Sequence, residues 1–263
     1  METPLEKLPV WDRMGTITLD EMDSIRLMNR VDTKYVTTEE KLLQILDDAA
    51  SQGYRACIIK GERVTGYDSV YYDTPSLEMY INHHNGRKVR QKVRVRTYQV
   101  TGVTFLEIKR KNNKGRTRKV RIPVDGSYAM HFGDIEEAAA FLRENSWYTI
   151  DRISPELSTI FRRITLVNPA KTERLTIDTS LRFVNYRTGE EASLGNGVII
   201  ELKQDGHAAS QMKGILLSHR VHPFSVSKYC IGTALTEPSV KKGRFKLKIR
   251  KIEKITGNKI TSR

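Results

Sequence analysis

The chain has 263 residues, 38% of them hydrophobic, with a formal net charge of +14. That length suffices to bury a core, and no run of 18 apolar residues reads as a membrane-spanning helix. The amino-terminal METPLEKLPVWDRMG lacks the basic and apolar regions of a signal peptide, so export is not expected and a cytoplasmic location is predicted. The cationic excess implies a polyanionic partner: nucleic acid, an anionic membrane surface or phosphate-rich small molecules. Its distribution is uneven. Residues 87–121 hold 14 Lys and Arg against one acid, Glu107, and residues 239–263 hold ten against one, Glu253. The remainder is net acidic, so positive charge is concentrated in two segments.

In chain order, residues 1–28 read as a polar lead-in with a short helix over LDEMDSIRLM, and MNRVDTKYV alternates as a strand with Arg30, Asp32 and Lys34 on one face. Thr37-Thr38-Glu39-Glu40 is a capping-box start for an amphipathic helix through Leu42, Leu43, Ile45, Leu46, Ala49 and Ala50, stopped by Gly53. Then comes strand after strand: RACIIK, TGYDSVYYDT, KVRQKVRVRTY, VTFLEIKRK and TRKVRIPV, separated by turn signals. A second helix is predicted over 134–145. LSTIFRRITLVN, RLTIDTSLRFVNY and GVIIELKQ read as later strands, and SQMKGILLSHRV as a third helical segment. Alternation in GRFKLKIRKI suggests a strand or a polymer-guiding arm within the basic tail.

Within KVRQKVRVRTY, Lys88, Arg90, Lys92, Arg94 and Arg96 take alternate places, so one strand face carries five cations. Lys119 and Arg121 alternate with Val120 and Ile122, and Glu107, Lys109 and Lys111 share a face. Neighbouring strands lie about 4.8 Å apart, and such a separation brings like charges together unfavourably unless a polyanion or solvent lies between. A closed barrel with a polar lumen and helices packed outside resolves this, with the cationic face turned inward at a ligand. Glu107 and Glu201 sit among these lysines, and Lys203 shares the face of Glu201. Their expected task is to hold Mg²⁺ or Mn²⁺ against phosphate oxygens, with a structural ion pair as the competing reading for each.

The bland reading holds for other residues. Cys57 and Cys230 look like small buried hydrophobes, His83-His84 a solvated loop, Tyr71, Tyr72 and Tyr80 packing residues, and Asp178 an ion-pair partner for an inward Arg in preference to a second metal ligand.

NRVDTKYV, YYDTPSLEMYINHHNGRKVRQKVRVRTY, FLEIKRK, TRKVRIPV, IFRRI, RLTIDTSLRF, VIIELKQ and SVSKYCIG, in this order, resemble the vacuolar transporter chaperone (VTC) domain, the polyphosphate polymerase family among the triphosphate tunnel metalloenzymes. The resemblance covers about residues 25–236, leaving 1–24 as a lead-in and 237–263 as a basic tail. It implies an α+β fold: an antiparallel β-barrel tunnel with packing helices. It implies that Lys34, Arg94, Arg96, Lys109, Lys119, Arg121 and Arg163 bind the triphosphate and growing chain, and Lys203 is grouped with them. Glu201 matches the family's metal-binding Glu, with Glu107 a second candidate ligand, and Ser227 and Lys228 match its Ser-Lys pair. Lys228, Ser227 and Arg163 are the catalytic candidates. Phe161 stands where the family usually has Tyr.

Triphosphatases of the wider superfamily carry Glu-x-Glu-x-Lys on the first strand, whereas this chain has Arg30-x-Asp32-x-Lys34. This departure favours transfer to phosphate over transfer to water. The resemblance is to stand-alone bacterial members, without regulatory or membrane domains. The implied activity is transfer of the γ-phosphoryl group of ATP onto polyphosphate, with Mn²⁺ or Mg²⁺ as cofactor. Inorganic triphosphate and pyrophosphate are further expected ligands; nucleic acid is not. Two other readings stay open: a triphosphatase of the same fold, and a polyanion-binding protein without turnover, for which the basic tail is the best support.

Overall fold

Alternation of β-branched and charged residues produces strands here because each strand has a different environment on each face. The structure, a computed structural model, describes residues 4–23, 25, 30–206 and 209–260. In chain order the elements are α1 (Val10–Arg13), β1 (Gly15–Thr18), α2 (Leu19–Asp23), β2 (Arg30–Thr38), α3 (Glu39–Ser51), β3 (Arg55–Ile58), β4 (Thr65–Asp73) and α4 (Glu78–His84). The middle of the chain forms β5 (Arg90–Tyr98), β6 (Thr104–Lys111), β7 (Thr117–Val124), α5 (Glu136–Asn145), β8 (Ser154–Val167) and β9 (Glu173–Asn185). The remainder forms β10 (Glu191–Ser193), β11 (Gly197–Asp205), α6 (Gln211–Ser218), α7 (Lys228–Thr236) and α8 (Gly243–Thr256).

One sheet runs in the order β2-β11-β9-β8-β4-β5-β6-β7. All these neighbours are antiparallel. β3 adds to β8, and β1 pairs with β3 in parallel. The sheet curls until its two outer strands line one cavity, β2 through Arg30, Asp32 and Lys34 and β7 through Thr117, Lys119 and Arg121. This is the antiparallel curled sheet expected, with helices packed around it, but as a half-barrel rather than a closed one, since among the described residues β2 and β7 are not paired.

The outward faces carry the core. On β5 and β6, Val93, Val95, Leu106 and Ile108 pack with Ala138 and Leu142 of α5, and with Phe132. On β8, β9 and β11, Ile164, Leu166, Leu175, Ile177, Ile200 and Leu202 pack with Leu42, Ile45, Leu46 and Ala49 of α3. Thr38 caps α3 by accepting from the Lys41 amide, as the capping box predicted. Gly53, at φ +76°, provides the left-handed residue after it.

Two expectations need correction. The lead-in is not merely polar: Leu8, Val10, Trp11 and Met14 are buried against α3, because this short apolar cluster covers a helix face that would otherwise meet water. The predicted helix there is α2, and residues 24 and 26–28 of its expected span lie outside the described residues. The basic tail contains a helix, not a strand: Phe245, Ile249 and Ile252 recur at helical spacing and are buried. Leu247, which completed the alternating pattern, is 72% exposed.

α7 lies inside the curl. At Gly232 an added Cβ would stand 2.6 Å from the Phe183 ring and 2.7 Å from Leu157, so only glycine allows this helix so close to the sheet. α7 fills one part of the interior with Tyr229, Cys230, Ile231 and Ala234. Its first residue, Lys228, and its cap, Ser227, line the part left open.

Candidate active site

The open part of the interior is a cavity of about 740 Å³. Lys34, Arg94, Arg96, Glu107, Lys109, Lys119, Arg121, Arg163, Glu201, Lys203, Ser227 and Lys228 all line it. Strand alternation selects them: on β5 it turns Lys92, Arg94 and Arg96 inward while Val93 and Val95 face the core. The five-cation face is shorter than the sequence suggested. Lys88 precedes β5, and Arg90 turns back to donate to the Arg87 carbonyl at 2.8 Å.

On β9 the inward set changes parity. Arg174 and Thr176 line the cavity and Asp178 faces Arg163 across the pairing, but Leu181 and Phe183 continue the inner face under α7. The pairing with β8 shifts by one residue between Ile160 and Arg162, and Ser180 takes a left-handed φ of +51°. This bulge exchanges a charged lining for an apolar one within a single strand, at the boundary between cavity and α7.

Three carboxylates are already engaged. Glu107, 2% exposed, accepts on Oε2 from Arg94 Nε at 2.8 Å and Nη2 at 2.5 Å, and on Oε1 from Lys119 Nζ at 2.8 Å. Asp178 accepts from Arg163 Nε at 2.6 Å and Nη2 at 2.8 Å, and also from Lys228 Nζ. Arg30 takes both oxygens of Asp32, at 2.6 and 3.1 Å. Burial opposes ionisation of Glu107 and Asp178. The cations beside them prevail and hold both carboxyls below the ordinary range: Arg94, Arg96 and Lys119 for one, Arg163 and Lys228 for the other. Asp178 thus takes the ion-pair place expected of it.

Glu201 differs. Its closest charged partner is Lys203, at 3.5 Å. Burial again opposes ionisation, yet the combined field of Lys203, Lys34, Lys228 and Lys109 keeps it ionised well below the usual range. Lys203 pays part of this cost: burial lowers its pKa to about 8, despite the opposing pull of Glu201.

The register creates a rank of like charges. Lys92 is directly opposite Lys109 on β6, which is directly opposite Lys119 on β7. Burial, then Lys34, lowers the Lys109 pKa, and Glu201 offsets this in part. Lys34 Nζ donates to the Val226 carbonyl at 3.2 Å, and Lys92 Nζ to Ser227 Oγ at 2.7 Å.

Aromatic faces carry the remaining cations. Tyr67 and Phe161 stack with centroids 5.2 Å apart, Arg96 and Arg163 lie over both rings, and Lys228 lies 4.6 Å from the Phe161 centroid. Arg121 covers Phe105 at 4.3 Å. Phe161, where a tyrosine was the family norm, therefore acts as a platform.

Lys92, Tyr67, Tyr71 and Arg174 line the cavity but were not among the sequence candidates. Lys92 and Arg174 were findable, sharing a period-two face with Arg94 and with Asp178. Tyr71, expected to pack, accepts from Arg94 Nη1 at 2.9 Å; burial raises its pKa, but Arg94, Arg96 and Lys92 outweigh this and bring it to about 7. Tyr72 and Tyr80 do pack. His83 and His84 end the helix α4 rather than occupying a solvated loop, and His83 Nδ1 lies 3.1 Å from Cys230 Sγ. Both cysteines are buried, and Cys57 borders the cavity.

A family model, the VTC domain, matches residues 29–237 of this sequence. The chain belongs to the VTC domain family. Its match spans β2 to the end of α7, hence every strand lining the cavity. Among curated proteins, no sequence match is found. Solved structures similar to this VTC domain include a putative adenylate cyclase from Vibrio parahaemolyticus, at 11% identity and a TM-score of 0.43, covering 77% of this chain and 96% of that one. Another is a putative adenylyl cyclase from Hippeastrum described as having a dominant triphosphatase activity, at 15% identity and a TM-score of 0.48, covering 78% of this chain and 95% of that one. No helix among the described residues of the VTC protein is long and apolar enough to cross a membrane.

Proposed function

We propose that this protein transfers the γ-phosphoryl group of ATP to the end of a polyphosphate chain, with a divalent cation as cofactor. The observation that carries this reading is the lysine rank Lys92–Lys109–Lys119, three cations abreast on neighbouring strands. Such a rank is unfavourable in an empty cavity and favourable around a polyphosphate. Phosphoryl transfer asks little covalent help of a protein beyond aligning attacking and leaving oxygens and neutralising their charge.

Arg94 and Arg96 of β5 and Arg163 of β8 bind phosphate oxygens through planar guanidinium groups, held in place by Glu107, Ser69 and Asp178. Lys34, Lys109, Lys119, Lys203 and Arg121 hold the rest of the chain as it crosses the cavity. Lys228 neutralises the phosphoryl group in flight, and Ser227 offers one neutral hydrogen bond beside it.

Glu201 fits a divalent cation, because it is the cavity glutamate whose oxygens are not both taken by short bonds from cations. Among the described residues no cluster of three metal-ligating side chains exists. One carboxylate plus substrate phosphates and water suits Mg²⁺ or Mn²⁺. Glu201 would hold such an ion, which would supply charge neutralisation at the transferring phosphate. Glu107, with both oxygens occupied, is here a positioning residue for Arg94 and Lys119 rather than a ligand. Asp32 is likewise committed to Arg30, so the first strand has no spare carboxylate to orient water, which favours phosphate as the acceptor.

Purified protein incubated with ATP and Mn²⁺ tests this, read by gel for polymer and by coupled assay for ADP. Long polymer with stoichiometric ADP is expected. Orthophosphate as the sole phosphate product would make the protein a triphosphatase, and tight triphosphate binding without either product would make it a binder.

A further inference from the structure

The basic helix α8 lies beyond the matched family domain, and its charges follow a pattern that stability alone does not require. Its apolar stripe of Phe245, Ile249 and Ile252 is spent on packing. Arg244, Lys248 and Lys251 form a second stripe at i, i+4 and i+7, which on a helix is one line of neighbours about 10 Å long.

That line runs close to cavity-lining Lys34 and Ser227. The Arg244 guanidinium covers Gly86, where an added Cβ would meet its Nη1 at 2.1 Å, just before the cationic strand β5. Lys248 Nζ donates to the Ser225 carbonyl at 2.6 Å, one residue from the Val226 carbonyl that Lys34 holds. Lys251 Nζ lies 5.2 Å from the Phe224 ring centroid. Burial, with Lys34 adding to it, lowers the Lys248 pKa, placing this ammonium within the field of a cavity lysine. Elsewhere in the cavity lining, Arg30 pairs with Asp32, and Leu19, Met22 and Ile59 contribute apolar surface.

We propose that the Arg244–Lys248–Lys251 stripe of α8 is a docking track for the part of the polyphosphate chain that extends out of the cavity beside Lys34. The proposal rests on the polymerase reading for the source of that chain. A flexible polyanion with one charge per phosphate unit suits a straight cationic line, and on this proposal only a chain longer than the cavity holds would engage it. Charge complementarity then lets the elongating product stay bound while its reacting end turns over.

The test compares Arg244→Gln/Lys248→Gln/Lys251→Gln with wild type for binding of tripolyphosphate and of polyphosphate about a hundred units long, without nucleotide. Long-chain affinity is expected to fall at least tenfold, with the log–log salt slope shallower by about two, the counterions of three lost contacts. Tripolyphosphate affinity should be unchanged, and thermal melts check that the variant folds, since the substitutions spare the buried stripe but remove the Lys248–Ser225 hydrogen bond. Equal losses for both ligands, or none for the long chain, would overturn the track. So would loss of binding to phosphatidylserine vesicles alone, which would assign the stripe to a membrane surface. Because no turnover is needed, failure of the polymerase reading shows separately, as absence of polymer from wild-type protein given ATP and Mn²⁺.

Discussion

Arg163 and Asp178 meet across β8 and β9 in a parallel two-bond fork, Nε to Oδ1 at 2.6 Å and Nη2 to Oδ2 at 2.8 Å. Lys228, from the first turn of α7, reaches the same carboxylate. One buried anion therefore fixes two cations from different elements, at the bulge where the inner face changes from charged to apolar. The arrangement orients donors without neutralising both, and the surplus charge faces the cavity.

Asp178→Asn leaves Arg163 and Lys228 buried and facing each other with no anion between. Breaking a buried pair from one side costs about 3–5 kcal/mol. A lower urea midpoint is expected, together with a larger rise in melting temperature on adding tripolyphosphate than in wild type, because the ligand supplies the missing charge to the folded state alone. An unchanged urea midpoint would show that the fork is not a stabilising element.

Glu201→Gln keeps the side-chain shape and removes the charge. Turnover should collapse by at least 100-fold, while tripolyphosphate still binds the cationic walls without metal, at equal or higher affinity. Lys228→Ala should lower kcat more than it raises KM, since its contact strengthens as charge develops on the transferring group. Measuring kcat and tripolyphosphate Kd across a Mn²⁺ titration separates the two. Wild-type turnover by Glu201→Gln at limiting Mn²⁺ would remove the metal from Glu201.

The cationic walls were legible because period-two alternation is the strongest signal a strand carries, and β2, β5, β6, β7 and β11 keep it without interruption. What alternation cannot show is a change of register. From Asp178, strict period two turns Arg182 inward; the bulge at Ser180 puts Leu181 and Phe183 there, and Arg182 is exposed. α7 escaped for a related reason: KYCIGTALT is buried on nearly all sides, so it lacks the polar stripe that marks a surface helix. In α8 two periods compete, Phe245–Leu247–Ile249 for a strand and Phe245–Ile249–Ile252 for a helix, and packing on the sheet's apolar end decides between them. Nor does sequence alone distinguish Glu107 from Glu201. Both stand among lysines, and only the fold, which brings Arg94 and Lys119 onto Glu107, commits the first to ion pairs.

Arg94→Ala and Arg96→Ala should each weaken tripolyphosphate binding by about 1.5–3 kcal/mol, the range for a charged hydrogen bond. They should differ in stability. Arg94→Ala frees Glu107 among fewer cations and is expected to destabilise, whereas Arg96 is under repulsion from Arg94 and Arg163 and is held by Ser69 and two rings. Isothermal titration beside thermal melts reads both quantities, and unchanged affinity in both variants would place β5 outside the binding site.

On the proposed function, two groups should give triphosphate binding a pH dependence of known sign. Lys203, lowered to about 8 by burial, attracts phosphate only while protonated, so its contribution is full below that value and fades as pH rises through it. Tyr71, brought to about 7 by Arg94, Arg96 and Lys92 against the opposing effect of burial, becomes a phenolate beside the Arg94 guanidinium as pH rises, which should also weaken triphosphate binding. Tripolyphosphate gains charge over the same range, but that titration is common to all variants and cancels in their ratios. The affinity ratio of Lys203→Gln to wild type should rise across pH 7–9, and that of Tyr71→Phe across pH 6–8. Stability runs the other way for Lys203: its folded value lies below the unfolded one of about 10.4, so the cost of burying its charge is complete below pH 8 and is relieved between 8 and 10.4. Wild type should therefore gain stability relative to Lys203→Gln over that upper window while losing its binding advantage. Parallel flat profiles for both variants, from pH 6 to 10, would show that neither group titrates at the site.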